Sequence, residues 1–220
     1  MTIADQALAY VRDGQVLGLG TGRAATAFVE ALGQRVQAGL HVRGVPTSQA
    51  TAELARKLGI PLTTLADVAE LDIAFDGADE VDPQLRLIKG YGGALVREKI
   101  VAASAKQFIV LVGPEKLVPV LGSHGKLPIE VVPFGVDLVR RRLLQLGLSG
   151  QVRSGDQGPF VTDNGNLILD VQIIKPLMDP AALEPQLRSI PGVVGTGLFL
   201  GMADVVLIQH PDRVEVRKRP

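Results

Sequence analysis

Cysteine is absent from the 220 residues. That one absence excludes disulfides, thiolate metal sites and thiol nucleophiles together. Histidine is scarce: His41, His124 and His210 lie far apart and show no metal-ligand spacing. Net charge is missing too, with 23 basic against 23 acidic side chains, so no bulk field recruits nucleic acid. The densest basic runs, Arg140-Arg-Arg142 and Arg217-Lys-Arg219, read as a solvated helix face and a frayed tail. No apolar run approaches a membrane span. Asp5 comes early, without a basic-then-apolar pattern, which argues against a signal peptide. The expectation is a soluble cytoplasmic protein that binds neither nucleic acid nor membrane.

Hydrophobic residues are plentiful at 46%, enough for a real core in one large domain or a main domain with a small companion. The richest chemistry lies in Asp76–Lys99, DGADEVDPQLRLIKGYGGALVREK, directly after the apolar run Leu71–Phe75. It holds two acids three apart (Asp76, Asp79), Lys89 at the edge of the cluster Lys89-Gly-Tyr-Gly-Gly93, and Glu98. Acids, a cation and a flexible backbone this close suggest proton transfer on an anionic or polar ligand. On a helical wheel Glu98 lies amid Ala94, Leu95, Val101, Ala102 and Ala105, while Arg97 and Lys99 point elsewhere. A surface acid would not sit alone on an apolar face. Desolvation there is expected to raise the carboxyl toward what a general base needs. The competing reading is a structural ion pair, with Lys89 or a distant arginine.

From the start, Thr2–Arg12 reads as a helix with Thr2 and Asp5 as a capping pair, and Gln15–Leu19 as an inner strand. Gly18-Leu-Gly-Thr-Gly-Arg23 then runs into a helix, Ala24–Leu32. A strand, a glycine turn and a helix start make an anion site, because N–H groups and the helix dipole face the ligand. Gly20-Thr-Gly22-Arg-Ala-Ala25 fits a loose dinucleotide fingerprint. The acid that fingerprint wants after the second strand is missing from His41–Pro46, where only Arg43 could serve a 2′-phosphate. A single phosphate on Thr21, Gly22 and Arg23 asks for less, and a plain tight turn for less still.

Val42–Val45 reads as the second strand, Thr47-Ser48 as the start of a helix to Leu58, Pro61–Leu65 as a third strand, Leu71–Phe75 as the fourth and Gln107–Val112 as the next. Such alternation argues a Rossmann-like α/β fold with a parallel sheet. Ligands in such sheets sit beyond the carboxyl ends of strands, where Gly20–Arg23 and Asp76–Asp79 both fall. Lys116 follows a strand end and either reaches the same rim or is solvated.

Texture changes near Lys126. A strand within Pro128–Pro133 is followed by a helix over Val136–Leu146. A hairpin comes next, Phe160–Thr162 with Asn166–Val171 around Asp163-Asn-Gly165. A helix over Pro180–Arg188 and a strand over Val193–Leu200 complete the split βαβ order. We therefore expect a Rossmann-like domain, 1–125 and 203–220, and a small ferredoxin-like α+β domain, 126–202. Asp204–Gln209 is expected to rejoin the main sheet.

DGADEVDP, IKGYGGALVREKIVA, VPVLG and PIEVVPFG, with their spacing to GLGTGRAATAF, resemble ribose-5-phosphate isomerase of the A type over nearly the whole chain. The resemblance implies a Rossmann-like domain with a ferredoxin-like lid, and interconversion of D-ribose 5-phosphate and D-ribulose 5-phosphate without metal, nucleotide or other cofactor. It implies that Glu98 moves the proton between C2 and C1, and that Asp76, Asp79 and Lys89 handle ring opening and hydroxyl protons. Thr21, Gly22, Arg23 and Ala24, then Asp76, Gly77, Ala78 and Asp79, then Lys89, Gly90, Tyr91 and Gly92, and Lys116, would line the sugar phosphate. The family habit is a homodimer. Two departures stand out. The usual Gly-Thr-Gly-Ser-Thr-Ala turn is Gly-Thr-Gly-Arg-Ala-Ala here, and an N-terminal phosphate lysine of some members has no counterpart.

The rival classes are an NAD(P)-dependent oxidoreductase and a non-catalytic phosphosugar sensor. The first lacks its acid after the second strand. The second would need a DNA-binding segment or a lost base, and Glu98 is present.

Overall fold

Thr2 caps the first helix, α1 (Ile3–Leu8), as its sequence predicts. The Asp5 N–H donates to the Thr2 hydroxyl at 3.1 Å, and the Thr2 N–H donates to the Asp5 carboxylate at 2.9 Å. The helix ends earlier than the expected Arg12, because Tyr10 and Val11 turn to i−3 carbonyls, Ala7 and Leu8. The computed structural model describes residues 2–219.

The chain continues through β1 (Val16–Leu19), α2 (Arg23–Gln37), β2 (Arg43–Pro46), α3 (Gln49–Lys57) and β3 (Leu71–Gly77). Two short strands, β4 (Glu80–Val81) and β5 (Leu87–Ile88), precede α4 (Leu95–Ala103) and β6 (Ala105–Val112). Then follow β7 (Lys126–Val131), α5 (Val136–Gln145), β8 (Ser149–Val152), β9 (Ser154–Gly155), β10 (Gly158–Pro159) and β11 (Leu167–Gln172). The last elements are α6 (Pro180–Arg188), β12 (Val193–Thr196), β13 (Leu198–Phe199), β14 (Val205–Gln209) and β15 (Val214–Lys218). They fall into two units: Met1–Ala78, Arg97–Lys116 and Met202–Pro220, then Asp79–Val96 and Leu117–Gly201.

The first unit is a six-stranded sheet in the order β15-β14-β6-β3-β1-β2, parallel except for the β14–β15 pair. Its strands read as near-continuous apolar runs because helices cover both faces. Leu17, Leu19, Ile73 and Phe75 pack with Phe28, Val29 and Leu32 of α2, and the Phe28 and Phe75 rings stack at 4.1 Å. Gly18 and Ala74 point the other way, toward Val101 of α4. A Cβ on Gly18 would lie 2.5 Å from Val101 Cγ1, so the glycine is what lets α4 approach the sheet.

The second unit carries a four-stranded antiparallel sheet, β12-β7-β11-β8, and a three-stranded one, β13-β5-β4. Its core gathers Leu127, Ile129 and Val131 of β7, Val139 and Leu143 of α5, Leu169 and Val171 of β11, and Leu187 of α6. The order strand, helix, two strands, helix, strand holds for the four-stranded sheet, but with β8 in place of the expected Phe160–Thr162 strand.

Four expectations need correction. Pro61–Leu65 forms no strand, only an isolated bridge from Leu62 to Gly44. Pro61 has no N–H with which to extend a ladder. Phe160–Thr162 meets β11 only at the Val161–Leu167 bridge. The real antiparallel partner on that edge is β8, which pairs from Val152 to Ser149. The run 193–200 is cut at Gly197, and its two halves join different sheets. A side chain at Gly197 would strike the Lys89 carbonyl and sit 3.1 Å from Pro128 Cδ. Finally, Arg217-Lys-Arg219 is no frayed tail: Arg217 and Lys218 lie in β15, and the Arg219 N–H donates to Asp204 O at 2.9 Å.

Candidate active site

In the first unit the chain leaves β1 for β2 on one side and later returns to place β3 on the other. The crevice beyond the ends of β1 and β3 is therefore a topological switch point, where open α/β sheets bind ligands. The turn after β1 and the acid after β3 meet there. The Gly20 N–H donates to Phe75 O at 2.9 Å, and Asp76 Oδ1 accepts from the N–H of Thr21 (3.1 Å) and of Gly77 (2.7 Å). Asp76 is only 3% exposed. A Cβ on Gly20 would lie 2.6 Å from Asp76 Cα and against its carboxylate. Gly20→Ala should therefore overpack this junction and lose about 1–3 kcal/mol. A lowered denaturant midpoint with unchanged slope would check it, and an unshifted midpoint would show the turn absorbing the methyl.

Gly22, at φ 106°, caps α2 without a side-chain acceptor for the first-turn N–H groups. Arg23 is exposed and Ala24 half-buried at that helix start. Lys116 is half-buried at the end of a single 3-10 turn, Pro114–Lys116, just beyond β6. The strands β6, β3 and β1 are neighbours, so Lys116, Asp76 and the glycine turn share one rim.

Glu98 reaches the same level by helix geometry. α4 runs down toward the start of β6, antiparallel to the strands, and Val101 packs on Gly18. Three residues back along the helix is about 4.5 Å, and two residues up a strand is about 6.6 Å. Glu98 thus lies near the height of Gly20. It is 5% exposed, with Val101 and Ala102 buried beside it, so the apolar face read from the sequence is real.

In the second unit Asp79 is half-buried. Its N–H donates to Ile88 O (2.8 Å) and its Oδ2 accepts the Tyr91 N–H (2.9 Å). Lys89 is 2% exposed, its N–H donating to Gly197 O and its Nζ 5.6 Å from the Phe199 ring centre. Gly90 lies at φ 104° and Gly93 at φ 91°, conformations that favour glycine; Gly92 between them is exposed. Tyr91 donates its hydroxyl to Lys126 O at 3.2 Å. Burial, then the negative charges of Glu80, Asp79 and Asp170, raise its phenol well above the usual tyrosine range against the pull of Arg153. Tyr91 is therefore a neutral donor, unsuited to act as a base.

Sequence reasoning missed the supports. Thr21 Oγ1 lies 2.8 Å from Thr47 Oγ1 and from Ser48 Oγ, and 3.1 Å from Thr51 Oγ1, while Thr51 donates to Gly20 O at 2.9 Å. These hydroxyls anchor the glycine turn from β2 and α3. The run Thr47-Ser48 signalled only a cap, and Ser48 does cap α3. Glu80, fully buried beside Asp79, accepts the N–H groups of Gly122 and His124 at 2.6 Å each. Among the described residues no group of three or more His, Asp or Glu is placed to hold a metal ion.

The profile of the family Ribose 5-phosphate isomerase A (phosphoriboisomerase A) matches residues 43–213. Ribose-5-phosphate isomerase A of Roseiflexus sp. (strain RS-1) is 53% identical over 214 residues, covering 96% of this chain and 91% of the relative. The solved structure of ribose 5-phosphate isomerase A from Methanocaldococcus jannaschii superposes with a TM-score of 0.94 at 43% identity, over 99% of this chain and 96% of that one. A D-ribose-5-phosphate isomerase solved in complex with phospho-erythronic acid gives 0.95 at 40% identity, with the same coverage.

Proposed function

The chain belongs to the ribose 5-phosphate isomerase A family and isomerises ribose 5-phosphate; we propose that it does so through a cis-enediolate, with Glu98 as the proton-transferring base. The observation that carries this reading is a carboxylate 5% exposed on an apolar helix face, level with the glycine turn at the switch point of the sheet. An aldose–ketose shift removes a weakly acidic proton beside a carbonyl. Glu98 takes it from C2 of ribose 5-phosphate and returns it to C1, giving ribulose 5-phosphate. A positioned base contributes about 10²–10⁴-fold. Stabilising the enediolate oxygens is usually the larger share. The Lys89 ammonium and the N–H groups of Gly90 and Gly92 supply it in this reading, while Asp76 and Asp79 move the hydroxyl protons of ring opening.

The phosphate is assigned to the start of α2. Gly22 leaves the first-turn N–H groups without a side-chain cap, and the dipole there favours an anion. Arg23 replaces the hydroxyls of the usual turn with a charged fork suited to phosphate, and Lys116 adds a second cation. Gly77, Ala78 and Tyr91 complete the lining. We assign 126–202 as the family's small ferredoxin-like lid domain, supported by the split βαβ order of its sheet. We further propose a cytoplasmic homodimer working in the non-oxidative pentose phosphate pathway, free of cofactor and metal. No helix among the described residues is long and apolar enough to cross a membrane.

The test is ketose formation from ribose 5-phosphate by the purified protein, followed by ultraviolet absorbance with and without EDTA. Turnover undiminished by the chelator is expected. Silence from folded protein would overturn the assignment, and turnover lost to EDTA would overturn its metal independence.

A further inference from the structure

The loop Lys89–Gly93 is glycine-rich and lies in left-handed conformations at Gly90 and Gly93, so residue type does little to fix its peptide planes. One turn bond, Gly93 N–H to Gly90 O at 3.0 Å, closes it from within; further restraint comes from outside. Arg153, just past β8, donates from Nη1 to two successive carbonyls of that loop, Gly90 O at 3.0 Å and Tyr91 O at 2.9 Å. Its other edge forms a two-point pair with Asp170 of β11, Nε to Oδ2 at 3.0 Å and Nη2 to Oδ1 at 2.5 Å. The pair fixes the guanidinium plane and aims Nη1 at the loop. The backbone of Arg153 is itself tied, its N–H to Ile168 O and its carbonyl to the Phe160 N–H, at 2.8 Å each.

A trans peptide points its N–H opposite its carbonyl. With Gly90 O turned to Arg153, the Tyr91 N–H must face away, and it does, onto Asp79 Oδ2 at 2.9 Å. With Tyr91 O turned the same way, the Gly92 N–H faces the Asp79 side as well. Two consecutive N–H groups on one side suit an anion, and the Asp79 carboxylate takes the Tyr91 one. The Phe160 ring carries the Arg153 guanidinium 5.8 Å from its centre and packs where a Cβ on Gly93 would come within 2.5 Å, bracing the far end of the loop.

We propose that Arg153, held by Asp170, is a positioning residue of the isomerase: it sets the peptide planes of Gly90–Gly92 that face the enediolate and orients Asp79 through the Tyr91 N–H. The proposal rests on the isomerase reading above. A lysine at 153 keeps the charge and loses the fork, so it separates positioning from simple electrostatics.

Arg153→Lys is expected to lower kcat by about ten- to a hundredfold, the scale of a small misplacement of reacting groups, with KM for ribose 5-phosphate changed less than threefold. Amide exchange should accelerate at Lys89–Gly93 while β7 and β11 stay protected. Adding Asp170→Asn should then bring little further loss, since both residues act through one contact. Should Arg153→Lys fail to fold, Asp170→Asn alone, which leaves the arginine in place, carries the same measurements. A kcat within twofold of wild type, or an exchange increase spread over the whole sheet, overturns the proposal. A wild-type protein that does not turn over instead overturns the isomerase reading, and the exchange comparison still decides whether Arg153 holds the loop.

Discussion

Glu98→Gln should cut kcat by about 10³-fold or more, within the range a positioned base supplies, while ribose 5-phosphate still binds within a few-fold of wild type. The substitution is nearly isosteric and leaves the packing of α4 on Gly18 untouched. What it removes is the negative charge and, with it, the ability to accept and return a proton. Water cannot readily stand in, because the side chain is 5% exposed. Two measurements check the role. Deuterium wash-in at the carbon-bound positions in D₂O should vanish with turnover. Phospho-erythronic acid, an anionic acid ligand of a related isomerase, should still bind. A variant with near-normal kcat would remove Glu98 from the base role.

Lys89→Met should also cost about 10²–10³ in kcat, the loss typical of deleting one oxyanion donor, but through a different interaction. Methionine keeps the bulk beside Phe199, over which the ammonium lies at 5.6 Å, and leaves the backbone bond from the residue-89 N–H to Gly197 O in place. The ammonium goes, charge and N–H donors together. If that charge stabilises the enediolate, affinity for phospho-erythronic acid, whose carboxylate mimics the developing negative charge, should fall roughly in step with kcat. Substrate affinity should fall much less. The two variants are thus distinguishable: the base variant keeps the analogue, the lysine variant loses it. Unchanged analogue affinity with depressed kcat would move Lys89 from charge stabilisation to proton handling.

The fold was legible wherever a local pattern carried the information. The Thr2–Asp5 cap, the strands β1, β2, β3 and β6 with the helices between them, and β7, α5, β11, α6 and β12 of the second unit could all be read from residues a few positions apart. The same holds for Glu98: its burial follows from 3.6-residue periodicity, and Leu95, Val101 and Ala102 are buried as the wheel requires. Reading failed where a segment's partner is distant. Phe160–Thr162 looked like half a hairpin around Asp163-Asn-Gly165. The chain does reverse there, with the Thr162 N–H on Asn166 O at 2.9 Å, but the pairing stops at one bridge, Val161 to Leu167. The Thr162 hydroxyl donates to the buried Glu130 carboxylate at 3.0 Å, joined by the Asn164 and Asn166 amides at 2.9 Å. The strand that takes the β11 edge comes from Ser149–Val152.

Sequence alone determined the class of fold, the acids and lysine of Asp76–Lys99, the glycine turn that leads from a strand into a helix and, through its long motifs, the family, because each depends on short-range spacing and residue type. Tertiary structure alone decided which strands neighbour β1, and so where the switch point lies. It alone drew Thr47, Ser48 and Thr51 beneath Gly20 and aimed Arg153 at carbonyls more than 60 residues earlier in the chain. A hydrogen bond is specific in three dimensions and leaves no periodic trace in one, so these supports carry no local signature by which a sequence announces them.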